Sequence, residues 1–217
     1  NESPWPSWWT SFRAFFQKRD IVTILGFLLL FRIAEAQLLK LFIPFMLDER
    51  EAGGLALNNE QIGVLYGTFG VIALTIGGLL GGWLVSRYGL RRMLWWMVAA
   101  MHVPNLVFVG LAIYQPTSLS TIGGAIVAEQ LGYGFGFTAY MVYMMMVADG
   151  PHKTAHYAIC TGFMALGVML PGMGAGWIQE QLGYSHFFMW VVACAVPSIA
   201  AAALIKIHSD FGRKAPG

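Results

Sequence analysis

Charged residues are scarce in this sequence. Only 11% of its 217 residues are Asp, Glu, Lys or Arg, whereas soluble domains carry about 25%. Such a chain has too little charge to cover a globule in water, and 57% of it is hydrophobic and 14% aromatic. The composition therefore predicts a membrane protein whose surface faces lipid.

Cysteine is also rare, and the motifs of several enzyme classes are absent. Cys160 and Cys194 lie in apolar runs without a CxxC or Cys/His spacing, so we expect them to fill the core and predict no metal or redox site. The sequence has no GxxxxGK[ST] phosphate loop, no HExxH and no intramembrane Gly-x-Ser-Gly with a partner His. We expect no enzymatic activity, no cofactor and no nucleic-acid partner.

Long apolar runs recur along the chain, each reaching the roughly 20 residues that a helix needs to cross a bilayer. We predict six membrane-spanning helices, at about 21–47, 61–85, 93–115, 119–148, 155–179 and 186–206. This bundle of residues 20–207 is preceded by a linker, 1–19, and followed by a tail, 208–217. The aromatic and basic stretch 8–20 is typical of a short amphipathic helix on the membrane surface.

The basic residues are distributed unevenly between the two membrane faces, and such residues favour the cytoplasmic side. One face has only Arg50, beside the acidic Asp48, Glu49 and Glu51. The other face has ten: Arg13, Lys18, Arg19, Arg87, Arg91, Arg92, Lys153, Lys206, Arg213 and Lys214. We therefore expect both termini to be cytoplasmic.

An internal repeat appears when the sequence is shifted on itself by 94 residues. The segment 77–90 (GGLLGGWLVSRYGL) then faces 171–184 (PGMGAGWIQEQLGY), and the shift superposes Gly82 on Gly176, Trp83 on Trp177 and Gly89 on Gly183. Three spans per repeat is an odd number, so the repeats, about 20–115 and 116–207, must lie in opposite orientations. We predict an all-α membrane protein with six transmembrane helices in two inverted three-helix repeats, a construction typical of secondary transporters.

The stretch GGWLVSRYGLRRML, residues 81–94, resembles the G-x-L-x-D-R-x-G-R-R signature of major facilitator superfamily transporters. Ser86 replaces the acidic residue of the signature, which suits the second and weaker copy that this superfamily carries after its eighth span. The resemblance implies the C-terminal half of a twelve-helix transporter, with an N-terminal six-helix half as its partner. It also implies a conformational gate at the residues that match the signature, which include Gly82, Arg87, Gly89, Arg91 and Arg92.

Three further stretches, 31–47, 129–149 and 156–167, together resemble the AmpG-type permeases and their acetyl-CoA-transporter relatives. The AmpG-type permeases carry muropeptides into bacteria by proton symport. The resemblance implies a multi-pass protein of the bacterial inner membrane that transports a muropeptide-like or other sugar- or peptide-containing solute by alternating access.

Three charges interrupt the apolar sequence of the first span, namely Arg32, Glu35 and Lys40. At 1.5 Å per residue, Arg32 and Glu35 lie about 17 to 22 Å into the span, near the bilayer centre. A charged residue there costs roughly 2.5 to 3.5 kcal/mol, so we expect these two to face the bundle interior or a cavity and to pair at their spacing of three. Glu129 is the repeat counterpart of Glu35, at similar depth.

These charges have two interpretations. In the first, Arg32 and Glu35 form a buried pair that only fixes helix packing. In the second, Arg32 binds an anionic group of the solute while Glu129, or alternatively Glu35, carries the coupling proton, because a carboxyl group removed from water holds a proton more readily. Lys40 lies nearer the outer side and either lines the pathway or extends to the interface. Tyr133, Tyr140 and Tyr143 are candidate contacts for a sugar-containing solute.

A different class of function is also open. A six-helix channel or membrane scaffold that assembles as an oligomer would need rings of polar groups from several copies. The inverted repeat favours the transporter, because it predicts an asymmetric bundle that a different half completes.

Overall fold

The computed structural model describes residues 4–208 and 211–213, the side chains of residues 4–7 excepted. No strand occurs among these residues. Short turns of 3-10 helix at Arg50–Ala52 and of π-helix at Gly63–Gly70 accompany ten α-helices. The helices are Pro4–Phe16 (α1), Ile21–Leu30 (α2), Ile33–Leu47 (α3), Asn59–Ile62 (α4), Val71–Tyr88 (α5), Leu90–His102 (α6), Asn105–Tyr114 (α7), Leu119–Ala148 (α8), Lys153–Ala193 (α9) and Ala195–Leu204 (α10).

The helices join into segments that are long and apolar enough to cross a membrane: Ile21–Leu47, Asn59–Tyr88, Leu90–Tyr114, Leu119–Ala148 and Lys153–Leu204. The last has 52 residues and leaves the helical conformation at Gly183, with φ 70° and ψ 167°. It therefore holds two crossings, 153–182 and 184–204. The six segments, called spans 1 to 6 in chain order, confirm the predicted fold class and end within three residues of the predicted bounds.

The 94-residue repeat is present in the backbone as well as in the sequence. Gly89 has φ 82° and ψ 152°, close to the values of its counterpart Gly183, in a region that essentially only glycine adopts. Gly89 separates spans 2 and 3, and Gly183 separates spans 5 and 6. Large apolar side chains are exposed at four equivalent pairs of spans 2 and 5: Ile72 and Leu166, Ile76 and Leu170, Leu79 and Met173, Trp83 and Trp177.

Span 2 packs closely against span 4. A Cβ atom added to Gly77 would clash with the carbonyl group of Leu131, and one added to Gly134 would clash with that of Leu74. Small residues of this kind let the backbones of membrane helices approach each other. Glycine on both helices is therefore what permits this contact.

The same contact recurs between span 5 and span 1, as the repeat requires. Shifting the neighbours Gly134 and Gly78 by 94 residues gives Lys40 and Gly172, and a Cβ on Gly172 would lie 3.1 Å from Cγ of Lys40. In this copy the neighbour of the glycine is a flexible side chain instead of a second glycine.

The buried apolar residues form two clusters, one toward each membrane face. The first includes Phe42, Phe45 and Phe188, and the second includes Phe27 and Tyr140. Along span 1 the second cluster ends at Phe31 and the first begins at Ala34. The gap between them is the level at which Arg32 and Glu35 lie.

Span 1 is interrupted at this level, because the helix ends at Leu30 and resumes at Ile33. Two carbonyl oxygens at the break accept hydrogen bonds from other spans. The Tyr140 hydroxyl of span 4 donates to Leu28 at 2.7 Å, and the Ser198 hydroxyl of span 6 donates to Leu30 at 3.0 Å. Backbone groups inside a bilayer must be satisfied within the protein, so these hydroxyls support the broken helix.

α1 packs against the start of span 5. Its Ser11 hydroxyl lies 3.0 Å from His152 Nδ1, and the Ser11 carbonyl oxygen lies 3.1 Å from His156 Nε2. Trp8 and Trp9 are exposed, as expected for a helix at a membrane interface. The predicted tail is described only at residues 208 and 211–213.

Candidate functional site

Arg32 and Glu35 form a bidentate ion pair inside the bundle. Arg32 Nη2 donates to Glu35 Oε1 at 2.9 Å, and Arg32 Nε donates to Oε2 at 3.2 Å. The exposed fraction is 7% for Arg32 and 2% for Glu35. The planar guanidinium of Arg32 matches the carboxylate with two parallel hydrogen bonds, which makes this a strong pair. The pairing was predicted from the spacing of three residues.

Arg32 also contacts the aromatic side chains of span 4. Its Nη2 donates to the Tyr133 hydroxyl at 2.8 Å, and its Cζ atom lies 4.7 Å from the centroid of the Phe137 ring. A guanidinium over an aromatic face is stabilised by the ring quadrupole, more so where water is excluded. The cation is therefore held by three groups, and span 4 supplies two of them.

Glu129 is buried with a different set of neighbours. Its side chain is in the interior, with 3% of the residue exposed, and its Oε2 accepts a hydrogen bond from Gln130 Nε2 at 3.0 Å. No cation lies within ion-pair distance of Glu129 in the part of the chain that the structure describes. Glu35 lies close enough for its charge to act on Glu129.

Lys40 is exposed on span 1, so it does not belong to the buried set. Three charged groups are buried among the described residues: Arg32 contributes +1, Glu35 contributes −1, and Glu129 contributes −1 when ionised. The buried set then has a net charge of −1, and one proton on Glu129 brings it to zero. Charge in a low-dielectric interior is costly unless it is paired, and of these three groups only Glu129 lacks an oppositely charged partner among the described residues.

Tyr140 and Tyr143 are buried in the second cluster, and the Tyr140 ring lies beside that of Phe137. The Tyr140 ring stacks on Phe27 and Phe31, with centroids 5.5 and 5.6 Å apart, and its hydroxyl supports the break in span 1. Tyr143 packs edge-on to Phe27 at 4.6 Å. Of the three predicted tyrosines, only Tyr133 contacts Arg32.

Sequence reasoning missed Phe137, Gln130 and Tyr66. Phe137 follows Glu129 and Tyr133 at intervals of four, so these three lie on one stripe of span 4, and that spacing could have revealed it. Tyr66 of span 2 lies near Glu129, Gln130 and Glu35. No spacing within span 2 indicates this, because the contact depends on how that span is rotated against span 4.

The predicted gate residues lie at the end of span 2 and the start of span 3. Arg87, Arg91 and Arg92 are exposed, and none has a carboxylate within ion-pair distance among the described residues. The Arg87 guanidinium lies over the Trp83 ring at 5.6 Å. Gly82 has open space around it, whereas Gly89 supplies the positive φ of the turn.

The described part of the tail meets this loop. The backbone N–H of Leu90 donates to the Phe211 carbonyl oxygen at 3.1 Å. Gly212 lies against Val85 and Val142. The tail thus contacts the ends of spans 2 and 4 beside the gate residues.

Comparison with known proteins finds relatives for most of the chain. A scan against models of protein families finds no match. The chain is 28% identical over 201 residues to an anhydromuropeptide permease of Escherichia coli K12, covering 93% of this chain and 40% of that protein. It is 25% identical over 188 residues to a candidate AmpG transporter of Rickettsia conorii, covering 87% of this chain and 44% of that protein.

The chain thus spans less than half the length of these relatives. Both are named as carriers, a permease and a transporter, and neither as an enzyme. Over most of its length this chain is similar to AmpG-type permeases and transporters, which confirms the resemblance predicted from its residues.

Proposed function

We propose that this chain is the C-terminal half of a proton-coupled secondary transporter of the major facilitator type, which works by alternating access. Its solute is a muropeptide or a related sugar- and peptide-containing molecule. The names of the relatives support the solute class. The two repeats, each of three spans, support the transporter architecture.

Glu129 is the observation that carries the proposal. It is a buried carboxyl group inside a membrane span, with an amide beside it and no cation within ion-pair distance among the described residues. Its repeat counterpart Glu35 is held by Arg32. A transporter that couples to protons needs a carboxyl group that can lose and regain its proton as the site opens to each side. In this proposal Glu129 has that role, and Arg32 binds an acidic group of the solute.

The test measures uptake of an anhydromuropeptide by the full-length transporter in lipid vesicles. Glu129→Gln keeps the shape of the side chain and removes its titration. We expect it to abolish uptake driven by an inward proton gradient while solute exchange without a gradient continues. Glu180→Gln, which changes an exposed acid, should transport normally. Gradient-driven uptake at the normal rate in Glu129→Gln would remove Glu129 from the mechanism.

Arg32→Ala separates solute binding from proton coupling. We expect it to weaken solute binding both with and without the gradient, because it removes the cation that meets the solute. Unchanged binding by Arg32→Ala would favour the interpretation in which the Arg32–Glu35 pair only fixes helix packing.

The N-terminal half of the same transporter is the proposed partner. Arg91 and Arg92 have no carboxylate within ion-pair distance among the described residues. They and the exposed apolar sides of spans 2 and 5 support a neighbour that is not in this chain. We expect Arg91→Ala and Gly89→Leu to slow transport more than they weaken solute binding, because both act at the gate loop. If both variants only lower expression, the gate loop has a structural role in this half and not a role in gating.

The proposed location is the bacterial inner membrane with both termini in the cytoplasm, as the positive-inside rule indicates. Tags attached at Asn1 and at Gly217 should be accessible only from the cytoplasm. A cysteine introduced at Gly54 should react with an impermeant reagent from outside. An outward-facing terminus would overturn the charge-based orientation.

A further inference from the structure

A cavity of about 460 Å³ lies where three spans end on the same membrane face. Its charged and ionisable lining includes Lys18, Arg19 and Asp20, just before span 1, and Lys206 and His208, just after span 6, and the hydroxyl-bearing Thr23 and Tyr143 also line it. We call this cavity the basic pocket. Its volume lies in the range of small-molecule sites, roughly 300 to 1,000 Å³.

The basic pocket carries an excess of positive charge. Lys206 pairs with Asp20 at 2.8 Å, and no carboxylate lies within ion-pair distance of Lys18 or Arg19 among the described residues. Among the described residues that line the pocket, three cations and one carboxylate leave a net charge of +2, with His208 neutral. Such a cluster attracts anions and can donate charge-assisted hydrogen bonds to phosphate oxygens.

The apolar lining of the pocket points to the source of the anion. Ile24 of span 1 and Met146 and Val147 of span 4 lie below the cations, toward the membrane interior. Lys18 and Lys206 stand two or three residues from the ends of spans 1 and 6, at the level of lipid headgroups. A free anion would gain nothing from the apolar wall, whereas a phospholipid presents a phosphate at this depth and a hydrocarbon chain beneath it.

We propose that the basic pocket binds the headgroup of an anionic phospholipid from the leaflet that it faces, with Lys18 and Arg19 holding the phosphate. Basic pockets between membrane helices recognise anionic headgroups in this way. The proposal depends on the membrane-spanning fold and not on the transport function, so the two can fail separately.

The experiment titrates dioleoyl phosphatidylglycerol into the purified full-length protein in detergent and measures bound lipid by native mass spectrometry. The test variant is Lys18→Gln/Arg19→Gln. The control is Arg13→Gln/Lys153→Gln, which removes two exposed cations from the same membrane face outside the pocket. Each surface cation contributes about fivefold to the affinity for an anionic lipid, so we expect a loss of about 25-fold in the test variant and less than twofold in the control.

Two further arms keep the result interpretable. The charge-conserving variant Lys18→Arg/Arg19→Lys should retain binding, and the lipid should raise the unfolding temperature of the wild type but not of the test variant. Equal losses in the test and control variants would overturn the site. Displacement of the lipid by an equimolar amount of inorganic phosphate would show that the pocket binds free phosphate and not a lipid headgroup. Equal binding of dioleoyl phosphatidylcholine would contradict the proposed preference for anionic lipid.

Discussion

Glu35 and Glu129 occupy equivalent positions in the two repeats, yet their neighbours differ. Glu35 accepts two hydrogen bonds from Arg32, whereas Glu129 accepts one from the amide of Gln130. The sequence explains the difference, because shifting Arg32 by 94 residues gives Ile126. The repeat thus sets the depth of a carboxyl group, and the neighbouring residues decide whether it can keep a charge.

The largest expected effect on stability comes from removing the charge of Glu35, and the same change at Glu129 provides the comparison. Glu35→Gln leaves Arg32 buried without a counter-charge, which should lower the free energy of unfolding by about 3 kcal/mol. Glu129→Gln should change it by less than about 0.5 kcal/mol, because the new amide oxygen can still accept from Gln130. Denaturant titration in detergent measures both, with the exposed Glu180→Gln as control. Equal losses at the two positions would show that Glu129 also has a charged partner.

The second prediction concerns the two glycines that turn the chain between spans. Gly89→Ala and Gly183→Ala should each cost about 2 kcal/mol of unfolding free energy, since both force alanine into a conformation reserved for glycine. Gly82 lies in a regular helix with open space around it, so Gly82→Ala should not lower the unfolding free energy. A loss at only one turn would mean that the repeats are not equivalent there.

The third prediction compares the close helix contacts of the two repeats. Gly134→Ala places a methyl group against the rigid backbone of span 2, and overpacking of up to about 3 kcal/mol should exceed the gain of roughly 1 kcal/mol in helix propensity. Gly172→Ala meets the movable stem of Lys40 and should be close to neutral. Gly124→Ala, which meets nothing, is the control. Similar losses at Gly134 and Gly172 in thermal unfolding would contradict the comparison.

The smallest effect is expected at Lys40, the repeat counterpart of Gly134. Lys40→Met keeps most of the stem over Gly172 and removes an exposed charge. We expect a change below about 0.5 kcal/mol in unfolding free energy. A loss above about 1 kcal/mol in the same titration would mean that the ammonium group has a partner inside the folded protein.

Local patterns predicted the fold and part of the site. The six spans follow from the lengths of apolar runs, the equivalence of Gly89 and Gly183 follows from the 94-residue shift, and the Arg32–Glu35 pair follows from a spacing of three. The spacing of four places Tyr133 and Phe137 on one stripe of span 4, but it does not indicate their contacts with Arg32, because these depend on which face span 4 turns toward span 1. The sequence places Lys40 nearer the outer side of span 1, either lining the pathway or extending to the interface, and the structure leaves it exposed.

The break in span 1 has a consequence for the order of biosynthesis. The hydroxyls that satisfy its carbonyl oxygens come from Tyr140 and Ser198, which are synthesised 112 and 168 residues later. Until those spans arrive, span 1 would expose open backbone groups and the Arg32 side chain to hydrocarbon, at a cost of several kcal/mol for each unsatisfied group. Span 1 should therefore stay near the insertion machinery, or near water, until span 6 has emerged, and ribosome-bound chains that end before Tyr140 should leave it accessible to water-soluble thiol reagents.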